Sequence, residues 1–137
     1  MKYLSNYEGY YNKELFSFLW KNGTLNQRIR QKLLTIAEEF YNDLGYDVPI
    51  KDIILTGSIA NYNWHAKSDI DIHILLDFSQ INEDIELVKD FLDGKRFIWN
   101  LKHDITIKGH DIEMYLQDIN EEHVASGQYS ILNNEWI

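Results

Sequence analysis

The sequence predicts an α+β domain, a small mixed sheet flanked by helices. Three observations carry this expectation. Apolar residues recur at helical spacing through the first 45 positions, residues beyond Pro49 switch to short apolar or strictly alternating runs, and one further helical pattern interrupts those runs. With 137 residues and 45% hydrophobic content, the chain can bury one core but not two comfortable ones, so a single domain over 1–137 is expected.

Two N-terminal helices are expected first. Asn12 can cap one whose Leu15, Phe16, Leu19 and Trp20 form an apolar stripe, with Asn22-Gly23 as its stop. Thr24 can cap the second, in which Leu25, Ile29, Leu33, Ile36, Phe40 and Leu44 repeat until Gly45. Ile53-Ile54-Leu55 is a continuous apolar run suited to a buried strand ending at Gly57, and 59–64 has room for one or two helical turns. From Asp69 polar and apolar residues alternate strictly to Ile74 before running into Leu75-Leu76, the pattern of a strand with one polar face. A third helix starts near Asn82, with Glu83, Asp84 and Glu86 at its positive end and Ile85, Val88, Phe91 and Leu92 inward, and stops before Asp93-Gly94. Residues 95–102 carry no clear pattern. Asp104–Ile107, the turn Lys108-Gly109 and Asp111–Leu116 read as a hairpin, and residues 118–137, with anchors at Tyr129 and Trp136, as a tail wrapping the sheet.

Composition narrows the function classes. A net charge of -9 argues against general affinity for nucleic acid or anionic membrane, which needs a field of Lys and Arg. Lys21, Arg28, Arg30 and Lys32 form the one local basic cluster, which reads as a solvated helix face. The absence of Cys excludes disulfides and thiolate zinc sites. Met1-Lys2-Tyr3-Leu4 runs at once into polar residues, with no signal peptide or membrane span, so a cytoplasmic protein with no membrane partner is expected.

The chemistry lies in Thr56-Gly57-Ser58, then ten residues, then Asp69-Ile70-Asp71-Ile72. Side chains alternate along a strand, so Asp69, Asp71 and His73 share one face. Two carboxylates about 4 Å apart repel by ~4 kcal/mol at an effective dielectric of 20, so the pair needs a cation or a proton. All-oxygen ligation favours Mg²⁺ or Mn²⁺, and Mg²⁺ commonly completes its shell with substrate phosphates. Gly57 admits close backbone approach to such an anion, the Ser58 hydroxyl can donate to it, and the helical turn after it aims its N–H groups the same way. Asp111, Glu113 and Tyr115 share a face on the hairpin strand, which can meet the Asp69 strand if the two are neighbours. Lys67 and Lys102 are phosphate candidates whose alternative reading is surface lysine. The five histidines lack metal-ligand partners in sequence, His73 standing at most behind the ligands.

Gly57-Ser58-Ile59-Ala60 and Ser68-Asp69-Ile70-Asp71-Ile72 resemble the motif of the DNA polymerase beta-like nucleotidyltransferase superfamily, particularly its minimal members, over a core of roughly 50–117. Helices at 1–45 and the tail at 118–137 would flank that core. The minimal proteins often carry Arg-Gly after the Ala where this chain has Asn61-Tyr62. Glu122-His123 through Trp136 also looks like stand-alone, phage-type nucleotidyltransferases.

The resemblance implies a palm fold in which Asp69 and Asp71 hold two Mg²⁺ ions, Gly57 and Ser58 grip the triphosphate, and Lys67 and Ser68 are further nucleotide contacts. Glu113 is implied as the third catalytic carboxylate and metal ligand, with Asp111 in reserve. The implied activity moves a nucleoside monophosphate from a nucleoside triphosphate to a hydroxyl on a small molecule, an RNA end or a protein. The alternative is an inactive nucleotide-binding or interaction module of the same fold. A homodimer through the aromatic-rich first helix is a further expectation.

Overall fold

The computed structural model describes residues 11–122 and 127–137, so the Met1 start and His123 lie outside the described residues. A two-stranded hairpin, β1 (Trp20–Lys21) and β2 (Thr24–Leu25), precedes α1 (Gln27–Leu44). Then come β3 (Asp52–Thr56), a 3₁₀ turn at Ser58–Ala60, β4 (Ile70–Leu76), α2 (Ile85–Lys102), β5 (Thr106–Ile107), β6 (His110–Asp118), β7 (Tyr129–Ser130) and β8 (Glu135–Trp136). The six-stranded sheet runs β5-β6-β4-β3-β7-β8 and is mixed, because β4 and β6 are parallel while β3 is antiparallel to β4.

The first expected helix does not form. Asn22 (φ 55) and Gly23 (φ 77) are both left-handed, the conformation of a tight two-residue hairpin turn, and it ends β1 rather than a helix. The apolar residues ahead of it pack in different directions. Phe16 meets Trp64 and His110, whereas Trp20 stacks on Trp136 with ring centroids 4.6 Å apart. Asn12 caps nothing; its amide donates to the carbonyls of Tyr62 and Trp64. The helix through which a dimer was expected is thus replaced by the β1–β2 hairpin.

The second helix forms, with Asn26 rather than Thr24 as its cap, accepting from the N–H groups of Arg28 and Ile29. Gly45 ends it at φ 77, as a left-handed C-cap favours glycine. Ile29, Leu33, Ala37, Phe40 and Leu44 bury one stripe of α1 against Ile70, Ile72 and Ile74 of β4 and their neighbours, in one hydrophobic core. Each large side chain so buried contributes about 1.5–3 kcal/mol.

The third helix runs past its expected stop, through Gly94 to Lys102. A mid-helix glycine costs about 1 kcal/mol, and the last two turns outweigh it. Trp99 is buried there and donates from its indole to Asp43 at 3.0 Å. Asn100 also bonds both backbone groups of Met114, its amide donating to the carbonyl and its oxygen accepting from the N–H, each at 3.1 Å. This one side chain stands in for a strand at the β6 edge, so α2 lies along that edge.

No helix among the described residues is long and apolar enough to cross a membrane. Residues 127–137 bind the sheet as β7 and β8, and Arg30 ties them to α1 through bonds to the Ile131 and Leu132 carbonyls.

Candidate active site

The alternation of β4 buries Ile70, Ile72, Ile74 and Leu76 and leaves Asp71 and His73 on the opposite, open face. The parallel register with β6 pairs Asp71 with Glu113 and His73 with Tyr115, so the two polar faces are continuous. Asp69 lies just ahead of β4 and is exposed. The structure thus brings Glu113 beside Asp71, while Asp111 falls nearer the Asp69 level, two residues earlier on β6.

On the other side of β4, β3 delivers Gly57. Its backbone (φ 87, ψ -174) occupies a region open essentially only to glycine. A Cβ there would stand 2.7 Å from Asp71 Oδ2, so the turn lies directly against the carboxylate. The backbone continues from Gly57 as a single 3₁₀ turn, so an anion held here is held by individual groups rather than by a helix dipole. The Trp20 indole donates to the Ile59 carbonyl at 2.9 Å, and a Cβ on Gly127 would strike the Ala60 carbonyl oxygen, so the turn is clamped from both ends of the chain.

Ser68 is buried beneath the turn. Its hydroxyl lies 2.6 Å from that of Ser58 and accepts from the His65 N–H, while its carbonyl receives Nδ1–H of buried His110 at 2.6 Å. Its contribution is to orient Ser58 and the approach to Asp69. Lys67 is exposed in the same loop, and Lys102 ends α2.

Charge is unbalanced on the open face. Burial, then the charges of Asp69 and Glu113, push the Asp71 carboxyl up to about 6. Asp69 is raised as well, by desolvation and then by Glu113 and Asp111, against the opposing influence of His110 and His65. Among the described residues the only ion pair is Lys89–Glu121, so no lysine or arginine neutralises these acids by direct pairing. Nor, among the described residues, does any group of three His, Asp or Glu converge to hold a metal ion. Glu113 is instead turned toward Tyr115, whose hydroxyl donates to it at 2.8 Å. These are oxygen donors on one face, the donor type that hard divalent cations prefer.

Sequence reasoning placed Tyr115 on this face without giving it a part, and missed Arg96 and His110. Tyr115 sits between the His73 ring, stacked at 4.8 Å, and the Arg96 guanidinium, 4.6 Å from its centroid. Burial and the bond to Glu113 hold its phenol well above the usual range. Arg96 lies four residues before Asn100, in the stretch that carried no pattern, and only continuation of α2 brings it to this face. His110 gave no sequence signal, because its partner is a backbone carbonyl.

A mixed sheet flanked by helices, with a glycine-serine turn against an acid-bearing strand, is the architecture of a nucleotide-transferring fold. A family described as nucleotidyltransferase domain matches residues 30–125, and the chain belongs to that family. The family generally uses divalent metals. No curated protein and no solved structure matches the chain.

Proposed function

We propose that this protein transfers a nucleoside monophosphate from a nucleoside triphosphate to an acceptor hydroxyl, releasing pyrophosphate. The observation that carries the reading is the pairing of Asp71 with Glu113 across two parallel strands, with the Gly57 backbone against the Asp71 carboxylate. Asp69, Asp71 and Glu113 would hold Mg²⁺ or Mn²⁺, which when bound supplies Lewis-acid polarisation of the phosphate oxygens. Gly57 and Ser58 would seat the triphosphate, with Ser68 fixing the Ser58 hydroxyl and Lys67 reaching in from solvent. The acceptor oxygen attacks the α-phosphorus as the bond to the leaving pyrophosphate breaks, and the Glu113 carboxylate takes the hydroxyl proton.

The inactive-module alternative has its own support: no group of three His, Asp or Glu among the described residues converges to hold a metal ion, and Asn61-Tyr62 stands where minimal members often carry Arg-Gly. Thermal unfolding with each of ATP, GTP, CTP and UTP, with and without Mg²⁺, separates a nucleotide site from an interaction module, and pyrophosphate release with the bound nucleotide separates a transferase from an inactive binder. Ligand at a hundred times its dissociation constant stabilises by ~2.7 kcal/mol. A Mg²⁺-dependent shift that disappears in the Asp69→Asn/Asp71→Asn double variant supports the metal site; an equal shift in that variant sinks it.

A further inference from the structure

One side of α2 is left uncovered by the fold. Val88, Leu92 and Trp99 bury the other side against the core. Along the outer side run Leu87, Phe91, Gly94, Ile98 and Leu101, spaced by four, three, four and three residues, the spacing of a coiled-coil seam. Phe97 widens this seam, and its five large apolar side chains are 51–69% exposed, Phe91 among them although its spacing predicts an inward position. Together they show water roughly 550 Å² of apolar surface, near the upper end for a single chain and about two-thirds of the ~800 Å² per partner in a standard interface. Gly94 sits at the middle of the seam. A Cβ there would meet nothing within 4 Å, and a glycine inside a helix costs about 1 kcal/mol, so nothing in the single chain accounts for it. A second helix axis passing close to that point does.

The rims of the seam select the second helix. Asp90 and Phe97 flank it on one side, Lys95 and Lys102 on the other, and each member of the first rim stands five residues before a lysine. When two copies of one helix run parallel, residues with this offset meet across the seam. Asp90 of each copy then faces Lys95 of the other, and the Lys102 stem covers Phe97. An antiparallel pair would set Lys95 against Lys95. Within one copy Asp90 and Lys95 do not pair, the only ion pair among the described residues being Lys89–Glu121. Asp90 and Asp93 beside the seam disfavour an anionic membrane as the occupant.

We propose that α2 pairs in parallel with α2 of a second copy, so that the protein forms a two-fold dimer through this seam. A two-fold axis along the seam sets each of its residues against its own counterpart, and the opposite charges of the two rims make the surface complementary to itself. The contact turns away from the acids, because Arg96, which lies against Tyr115, leaves the helix on the side opposite the seam. Dimerisation through this face is therefore independent of the transfer chemistry.

The test is sedimentation equilibrium of the full chain over a concentration series. The parent should run at twice the chain mass when concentrated and dissociate on dilution. Asp90→Lys and Lys95→Asp should each weaken association about tenfold. An equimolar mixture of those two variants, and the chain carrying both changes, should associate like the parent, because opposite charges meet again. The chain has no Cys, so Leu87→Cys should give an interchain disulfide on mild oxidation, whereas an antiparallel pair would hold those positions about 20 Å apart. Phe91→Glu/Ile98→Glu should be a monomer that melts like the diluted parent, since both side chains are exposed. A parent that stays monomeric at every concentration overturns the proposal and leaves the seam to a different protein. So does a dimer that survives Phe91→Glu/Ile98→Glu, one whose Leu87→Cys variant does not cross-link, or one in which the mixed charge variants associate no better than each alone.

Discussion

Replacing Asp71 with Asn should stabilise the metal-free protein at neutral pH. Asp71 is raised from 3.8 to about 6 on folding. Between those values the folded chain binds more protons than the unfolded one, so stability falls as pH rises from about 4 to about 6, and the whole penalty persists above that. A two-unit shift corresponds to ~3 kcal/mol, and solvent screening of this half-buried group reduces it to about 1–2 kcal/mol. For a chain of 137 residues this amounts to about 3–7 °C in melting temperature. Calorimetry in chelator at pH 7.5 and at pH 4 gives the comparison. Asp71→Asn should melt higher at pH 7.5 and level with the parent at pH 4, and millimolar Mg²⁺ should raise the parent more than the variant. A variant that melts at or below the parent at pH 7.5 would refute the reasoning that burial, and after it the charges of Asp69 and Glu113, penalises the ionised Asp71.

Three other substitutions test the supports of the site. Gly57→Ala forces a side chain into a glycine-only conformation and against Asp71, and should cost about 1–3 kcal/mol in urea unfolding. Tyr115→Phe keeps the ring between His73 and Arg96 but releases Glu113; melting should move little, while Mg²⁺ affinity or turnover falls about 10–100-fold, as for other partners of metal-ligating side chains. Asn100→Ala strips both backbone groups of Met114 of their partner and should lower stability by about 2 kcal/mol, read as a shifted urea midpoint at unchanged slope.

What the sequence made legible was local. Alternation from Ile70 to Leu76, the Lys108-Gly109 turn and the Gly57-Ser58 break each depend on a few adjacent residues, and each reading matches the structure. Neighbours distant in sequence were another matter. Whether Asp111 or Glu113 stands beside Asp71 depends on the register of two strands joined through α2, which neither strand's own pattern contains. The expected first helix failed for a related reason. Leu15, Phe16, Leu19 and Trp20 have helical spacing, yet Phe16 and Trp20 find separate partners, and Asn22-Gly23 is a hairpin signal as readily as a helix stop. Gly94 misled in the opposite direction, because the burial of Trp99 and the bonds of Asn100 act on α2 from elsewhere in the fold.

The clamp on the glycine-serine turn also sets a timetable for synthesis. Trp136 stacks on Trp20 and donates to the Gly23 carbonyl, Trp20 holds Ile59, and the Gly127 carbonyl accepts from Thr56. A nascent chain has made all of its acidic side chains on β4 and β6 before it makes the residues that brace the turn facing them. Until 127–136 leave the ribosome, β3 has one bare edge and the Trp20 indole lacks its stacking partner. The glycine-serine turn is therefore braced only after residues 127–136 have been made.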